Sequence, residues 1–242
     1  MPATTLKLDF GTVPDYFQFI EDDEPLWGSI VGSHMWRMQR PDSDFDGYIG
    51  YAANPRKILL GRIKGGGINT VLGNWDVMST EISAIIQQLL KGNINHILGV
   101  LSPINPWPPT KWLAELQDIV THNFARSIYH SVNGLARHNL HLYFEKDIKK
   151  DVNKEKKLNQ IGRVVQFGIS VLVGGRVRFQ RWSGTHEELI ASIKELEEAH
   201  NRSYLPERVP EAPFVQFLLD LRREQMKKFL GEENGFPKQD IP

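Results

Sequence analysis

The stretch Gly32-Ser33-His34-Met35-Trp36-Arg37-Met38-Gln39-Arg40-Pro41-Asp42-Ser43-Asp44-Phe45-Asp46 sets a Gly-Ser pair ahead of an Asp-Phe-Asp triplet that opens a strand-like run. Residues two apart in a strand point to the same face, so Asp44 and Asp46 can converge on one cation. Glycine lets backbone pass close to a phosphate, and a serine hydroxyl with the amides that follow can hold its oxygens. Magnesium takes a few carboxylates and completes its shell with substrate phosphate oxygens. Two such ions can clamp the attacking and leaving oxygens of an in-line displacement. A third carboxylate on a neighbouring strand would complete the clamp, and Asp76 is the natural candidate. Singly these signals are weak, because Asp-x-Asp is common and Pro41-Asp42-Ser43-Asp44 also suits a plain turn. In this order, between strand-like runs, they point to metal-dependent phosphoryl or nucleotidyl transfer.

Around this motif lies a chain of 242 residues whose 29 basic and 29 acidic side chains give a net charge of zero. That balance excludes a protein held to nucleic acid by bulk charge alone. The 40% apolar and 24% charged fractions are those of a globular protein, and with no cysteine there is no disulfide, thiol nucleophile or cysteine-zinc site. The neutrality is segregated: residues 1–30 carry one lysine against six acids, 141–182 ten basic residues against four acids, and 185–221 eight acids against three basic residues. Solvated helix faces of mixed sign would explain the blocks as well as a polyanion site. The start, Met1 to Phe10, does not read as a signal peptide, and the run Val164 to Gly175 is too short to span a bilayer. A cytoplasmic protein without membrane contact is expected; no oligomeric state is specified.

Leu26 to Val31, Gly47 to Ala53, Lys57 to Ile63 and Ile68 to Val77 read as strands, separated by Asn-Pro and Gly-Gly-Gly. The period then changes. Ile82, Ile85, Ile86, Leu89 and Leu90 trace an amphipathic helix, with Ser79 or Thr80 as N-cap and Gly92-Asn93 as stop. Pro103 to Pro109 is a proline-dense, hinge-like break. After it the pattern is mostly helical, around Trp112 to Val120, Ile128 to Ala136 and Leu158 to Leu172, with a Thr185-Glu188 capping box before Leu189. The expected fold is α+β: a small α+β half over residues 1–105, then a helical half over 106–242.

Gly32-Ser33 with Asp44-Phe45-Asp46 resembles the signature of the DNA polymerase beta superfamily of nucleotidyltransferases. The wider match resembles its RNA-ligase-associated, RNA repair branch. Carrying it are Asp76 with Glu81 at a helix start, Leu90-Lys91-Gly92-Asn93, Leu101-Ser102-Pro103, Tyr129-His130-Ser131-Val132-Asn133-Gly134-Leu135-Ala136, the Lys156 to Arg163 helix, and Ser203-Tyr204-Leu205-Pro206-Glu207. The resemblance implies a small mixed sheet of the palm type bearing the aspartates and helices closing over the nucleotide. On that pattern Asp44 and Asp46 bind Mg2+ (two ions, with Mn2+ as a substitute), and Asp76 is a further ligand or the base for an attacking hydroxyl. Gly32 and Ser33 would hold the triphosphate, and Ser131, Lys156 and Arg163 would reach the triphosphate or base.

Spacing supports part of this, since Lys156 and Arg163 stand two helical turns apart on one face. Lys157 competes with Lys156 for the phosphate role, and a solvated lysine cluster competes with both. The chain departs from the branch at Gly47, Ala84 and Gln160, where an apolar residue, a lysine and a histidine are expected. The implied reaction moves a nucleoside monophosphate from a nucleoside triphosphate to a hydroxyl, releasing pyrophosphate. An RNA 3′ end is the favoured acceptor, ahead of a protein or small-molecule hydroxyl. The alternatives are a nucleotide-sensing module on the same fold and a nucleic-acid adaptor using the 141–182 block. His34 reads either as a phosphate contact or as an exposed loop residue.

Overall fold

The computed structural model describes residues 23–41, 43–63, 67–106, 110–146 and 153–233. Its sheet has four strands, β1 (Glu24–Ile30), β2 (Phe45–Ala52), β3 (Gly67–Leu72) and β4 (Trp75–Glu81), in the order β1-β2-β4-β3. β1 and β2 pair antiparallel, β2 and β4 parallel, and β3 and β4 antiparallel, so the sheet is mixed as expected. The parallel pair sets Asp46 opposite Asp76 and Tyr48 opposite Met78.

Two expectations for this half are corrected. Lys57 to Ile63 is not a strand: a one-turn helix, α2, runs over Pro55–Leu59. Asn54 caps it, accepting from Arg56 N at 2.9 Å, and Pro55 occupies the first turn, where its missing N–H costs nothing. Ile68 to Val77 is not one strand but two, turned at Gly73-Asn74, where Gly73 has φ +59°. That turn places Asp76 near the start of β4 instead of at a strand end.

Alternation divides the sheet faces. Ile30, Ile49, Tyr51, Trp75 and Val77 form a small apolar cluster on one side, with Phe45 and Ile104 against it. The other face carries Asp46, Tyr48, Asp76 and Met78 towards the helices. Between sheet and helices a continuous core runs from Leu26 to Leu221, with contributions on both sides of residue 105.

Helix α3 (Ile82–Leu90) buries the predicted stripe of Ile82, Ile85, Ile86 and Leu89. Its N-cap is Glu81, not Ser79 or Thr80; the Glu81 carboxylate accepts from Ser83 N at 2.7 Å. α4 (Ile94–Leu101) follows, and the segment after it is pinned to β1: Ile30 N donates to Ile104 O at 2.9 Å, and Ser29 Oγ to Asn105 Oδ1 at 2.9 Å. Residues 107–109 of the proline-dense break lie outside the described residues.

α5 (Lys111–His122), α6 (Ile128–Leu140) and α7 (Lys154–Gly174) come next, α6 continuing into a π-helical turn over His141–Glu145. α8 (His186–Arg202) starts with the predicted capping box of Thr185 and Glu188 and packs along α7. The Ser203 to Glu207 element ties these together, Ser203 Oγ donating to Leu172 O at 2.7 Å and Arg126 N to Pro206 O at 2.8 Å.

α9 (Glu211–Glu233) returns to the sheet. Arg222 on it pairs with Glu81, which is fully buried and also accepts from Ala53 N at 3.3 Å and from the Ser83 hydroxyl. A buried carboxylate is tolerated only when its lone pairs are met in this way. Lys228 and Gln225 add contacts to Glu24 at 3.1 and 3.3 Å. Among the described residues no helix is long and apolar enough to cross a membrane.

Candidate active site

A cleft of about 460 Å3 opens between the carboxylate-bearing end of the sheet and the first turns of α7. Its sheet side is made by the β1–α1 turn and the start of β2, where α1 is the single turn Gly32–Met35. Gly32 has φ +63°, and a Cβ built on it would lie 1.8 Å from Asp46 Oδ2. Only glycine fits there, because backbone and carboxylate need the same space. Val31 N donates to Asp46 O at 2.8 Å, which locks the turn to β2. Gly32, Ser33, Asp44 and Asp46 all line the cleft, as their order in sequence predicts.

Asp44 is exposed just ahead of β2, while Asp46 is partly buried. Burial pushes the Asp46 carboxyl above its ordinary value, and the negative charge of Asp76, opposite it in register, pushes it further. Lys156 opposes the shift, Asp44 adds to it and His34 opposes it weakly. Two further acids, Asp44 on the cleft wall and Asp76 beside it but not lining the cleft, therefore act on one partly desolvated carboxylate.

The helical side answers with cations. Lys156, Lys157 and Arg163 line the cleft along one side of α7. Lys157 Nζ also donates to Gln160 Oε1 at 3.1 Å and sits over the Tyr143 ring at 5.1 Å. Arg163 is only 5% exposed. Its Nε donates to Asn159 O at 3.0 Å and its guanidinium lies 5.8 Å from the Trp36 ring centre. Its Nη1 is buried without a hydrogen-bond partner, and burial draws its pKa down to about 10, still charged at neutral pH. A buried guanidinium nitrogen left unpaired beside a cleft is a place for an anion.

Ser131 is elsewhere. It does not line the cleft; its hydroxyl accepts from Ile94 N at 2.9 Å, capping α4 from α6. A helix serine of this kind meets an orphan amide of the neighbouring helix. His34 is neither exposed nor on the cleft: it is 5% exposed, stacked on Phe45 at 4.3 Å, with both ring nitrogens buried and unpartnered. Phe45 stacks in turn on Trp75 at 4.6 Å. Asn95, Asn139 and Trp36 also line the cleft, and sequence reasoning missed them. They come from α4, α6 and the end of α1, so no local spacing links them.

The acids suit a divalent cation. Like charges around a partly desolvated Asp46 are what a cation would relieve. Among the described residues no group of three or more His, Asp or Glu already forms a cage. Magnesium needs none, since it takes one or two carboxylates and leaves the rest of its shell to water and phosphate oxygens.

No curated protein matches the chain. Among solved structures it is similar to a nucleotidyltransferase-like protein from Exiguobacterium sibiricum 255-15, at 14% identity and a TM-score of 0.32, over 89% of this chain and 73% of that one. The model of the RNA repair pathway DNA polymerase beta family matches residues 20–234, which span the strands, the cleft and all the helices described above. The chain belongs to the RNA repair pathway DNA polymerase beta family.

Proposed function

We propose that this protein is a magnesium-dependent nucleotidyltransferase that moves a nucleoside monophosphate from a nucleoside triphosphate to a hydroxyl, with an RNA 3′ end as acceptor. Membership of the family supports a nucleotidyltransferase-type function. The observation that carries the finer reading is Asp46 on the cleft wall, with Asp76 beside it in register and Lys156 and Arg163 lining the same cleft from the helical side.

Asp44, Asp46 and Asp76 are the residues that would hold Mg2+, or Mn2+ in its place. The ion would supply charge neutralisation on the α-phosphate and on the departing oxygen. The Gly32-Ser33 turn, with no Cβ at its first residue, lets the triphosphate approach Asp46. Lys156 acts as a point charge and Arg163 as a fork on the phosphate oxygens. Asn95 and Asn139 offer amides to the sugar or base.

In the transfer the acceptor oxygen forms a bond to the α-phosphorus while the bond to the bridging oxygen breaks, and pyrophosphate leaves. The hydroxyl proton passes to Asp76, the exposed member of the in-register pair. The work of the protein is positioning and charge neutralisation. A sheet unit over residues 1–105 and a helical unit over 106–242 would close on the nucleotide. The test is incubation with each labelled nucleoside triphosphate, Mg2+ and an RNA bearing a 3′-hydroxyl. Label should appear on the RNA and vanish with Asp44→Asn or Asp46→Asn. Nucleotide binding with no transfer to any acceptor would instead identify a sensor.

A further inference from the structure

The segment Arg176-Val177-Arg178-Phe179-Gln180-Arg181-Trp182 leaves α7 at Gly175, whose φ is +60°, and runs back along that helix as an extended arm. Its residues alternate as far as Gln180 and slip by one at Arg181: Val177, Phe179 and Trp182 pack on the main core, while Arg176, Arg178, Gln180 and Arg181 are exposed. Two contacts fix the arm to α7. Ser170 Oγ donates to Arg176 O at 3.0 Å, and Trp182 lies so close to Gly162 that a Cβ there would be 2.2 Å from its ring.

The inward side of the arm is the outside of the cleft wall. Phe179 meets Trp36 edge-on at 5.2 Å, and Trp36 lines the cleft and carries Arg163 over its ring. Just past Trp36 the chain exposes Arg37 and Arg40. Arg37 has φ +55°, the one non-glycine among the described residues with positive φ. An L side chain is strained in that conformation, which is ordinarily left to glycine. None of these five arginines has an ion-pair partner among the described residues, and residues 175–184 contain no acid.

We infer that the arm and the Arg37 to Arg40 turn form a track for single-stranded RNA, whose phosphates the arginines hold while its end enters the cleft. Planar guanidinium forks suit phosphate oxygens, and two-residue spacing in an extended segment sets Arg176 and Arg178 ~7 Å apart, with Arg181 three residues further along, a row that suits a strand and not a point ligand. The inference rests on the proposed transfer to a hydroxyl, since that reaction requires an acceptor to arrive from outside the nucleotide site. It also gives a chain of zero net charge a local place for a polyanion, three exposed arginines in a stretch from 175 to 184 that holds no acid.

The test compares the full chain with a variant carrying Arg176→Gln, Arg178→Gln and Arg181→Gln. A charge-matched control carries Lys194→Gln, Arg202→Gln and Arg208→Gln, exposed residues outside the track. A fluorescent single-stranded RNA is titrated by anisotropy over a salt series, without nucleotide. The arm variant should bind about 10–100-fold more weakly, with a salt slope shallower by about 2, or about 0.7 for each phosphate no longer neutralised. Its affinity for Mg2+-nucleoside triphosphate and its melting temperature should match the parent.

Unchanged RNA affinity in the arm variant, an equal loss in the control, or no RNA binding by the parent would each overturn the track. So would arm-dependent binding to anionic phosphatidylserine vesicles that RNA does not displace. Because no turnover is measured, the two readings fail separately. RNA binding lost with the arm but without label transfer would sink the proposed reaction alone. Transfer to another hydroxyl without arm-dependent RNA binding would sink the track alone.

Discussion

Gly32 and Asp46 share one space: a Cβ on the glycine would lie 1.8 Å from the carboxylate oxygen Oδ2. Gly32→Ala therefore combines a backbone penalty with a displaced carboxylate. The φ of +63° costs an alanine about 1–2 kcal/mol, and a shift of the carboxylate by about 1 Å is worth about 100-fold in rate. A folded variant with transfer reduced about 100-fold is expected, checked by circular dichroism and single-turnover labelling. Wild-type turnover would show that Asp46 does not need its place.

The raised pKa of Asp46 has a sign that can be measured. Burial and the charge of Asp76 make the folded carboxyl hold its proton more tightly than the unfolded one, whose value lies near 3.8. Its contribution to stability is complete below that value and is lost as pH rises through the raised folded value. At neutral pH without metal the ionised group thus works against the fold. Asp46→Asn should melt higher than the parent in chelator, and added Mg2+ should stabilise only the parent. Equal melting curves at pH 4 and pH 7 for the two proteins would contradict this account.

On the opposite wall, charge on phosphate is the expected role. Arg163→Gln should weaken nucleoside triphosphate binding about 10–100-fold, the worth of a charged hydrogen bond, and affect a nucleoside monophosphate much less. Lys156→Gln should follow the same pattern. Equal losses for mono- and triphosphate would move these residues off the phosphates. Equilibrium titration with both ligands decides it.

Arg222 is predicted to hold α9 to the sheet. Arg222→Leu leaves the fully buried Glu81 without its counter-charge, a cost of about 3–5 kcal/mol. Melting should fall by roughly 10 °C or more, with Arg222→Lys recovering part of the loss. A thermal denaturation series reads this directly.

For Ser131 a purely structural outcome is expected. Ser131→Ala should lower stability by about 0.5–2 kcal/mol through the amide of Ile94 and leave nucleotide affinity intact. Chemical denaturation and a nucleotide titration on the same variant separate the two effects.

Strand alternation, helix stripes and caps were legible because they are local. The Asp44-Phe45-Asp46 triplet, the Ile82 to Leu89 stripe and the Thr185 capping box all lie where their patterns indicate. Asn54-Pro55 also carried a local signal, a cap followed by proline in the first turn, which the apolar content of Lys57 to Ile63 obscured. The Gly73-Asn74 turn was hidden in the same way by the isoleucine and valine around it. Glu81 as N-cap was less accessible, since its choice over Ser79 and Thr80 depends on Arg222 from the far end of the chain. Likewise Ser131 and the cleft residues Asn95 and Asn139 acquire their partners only when α4 and α6 meet.

Trp36 touches Arg163 on one side and Phe179 on the other, so a single indole stands between the cleft and the arginine arm. Any ligand that repositions this ring from one side alters what the other side meets. Linkage then requires reciprocity: if filling the cleft tightens the grip of the arm by some factor, an occupied arm must tighten the cleft by the same factor. Order of addition would thus be a matter of rate alone, and replacing Trp36 with a smaller apolar residue would make the two equilibria independent.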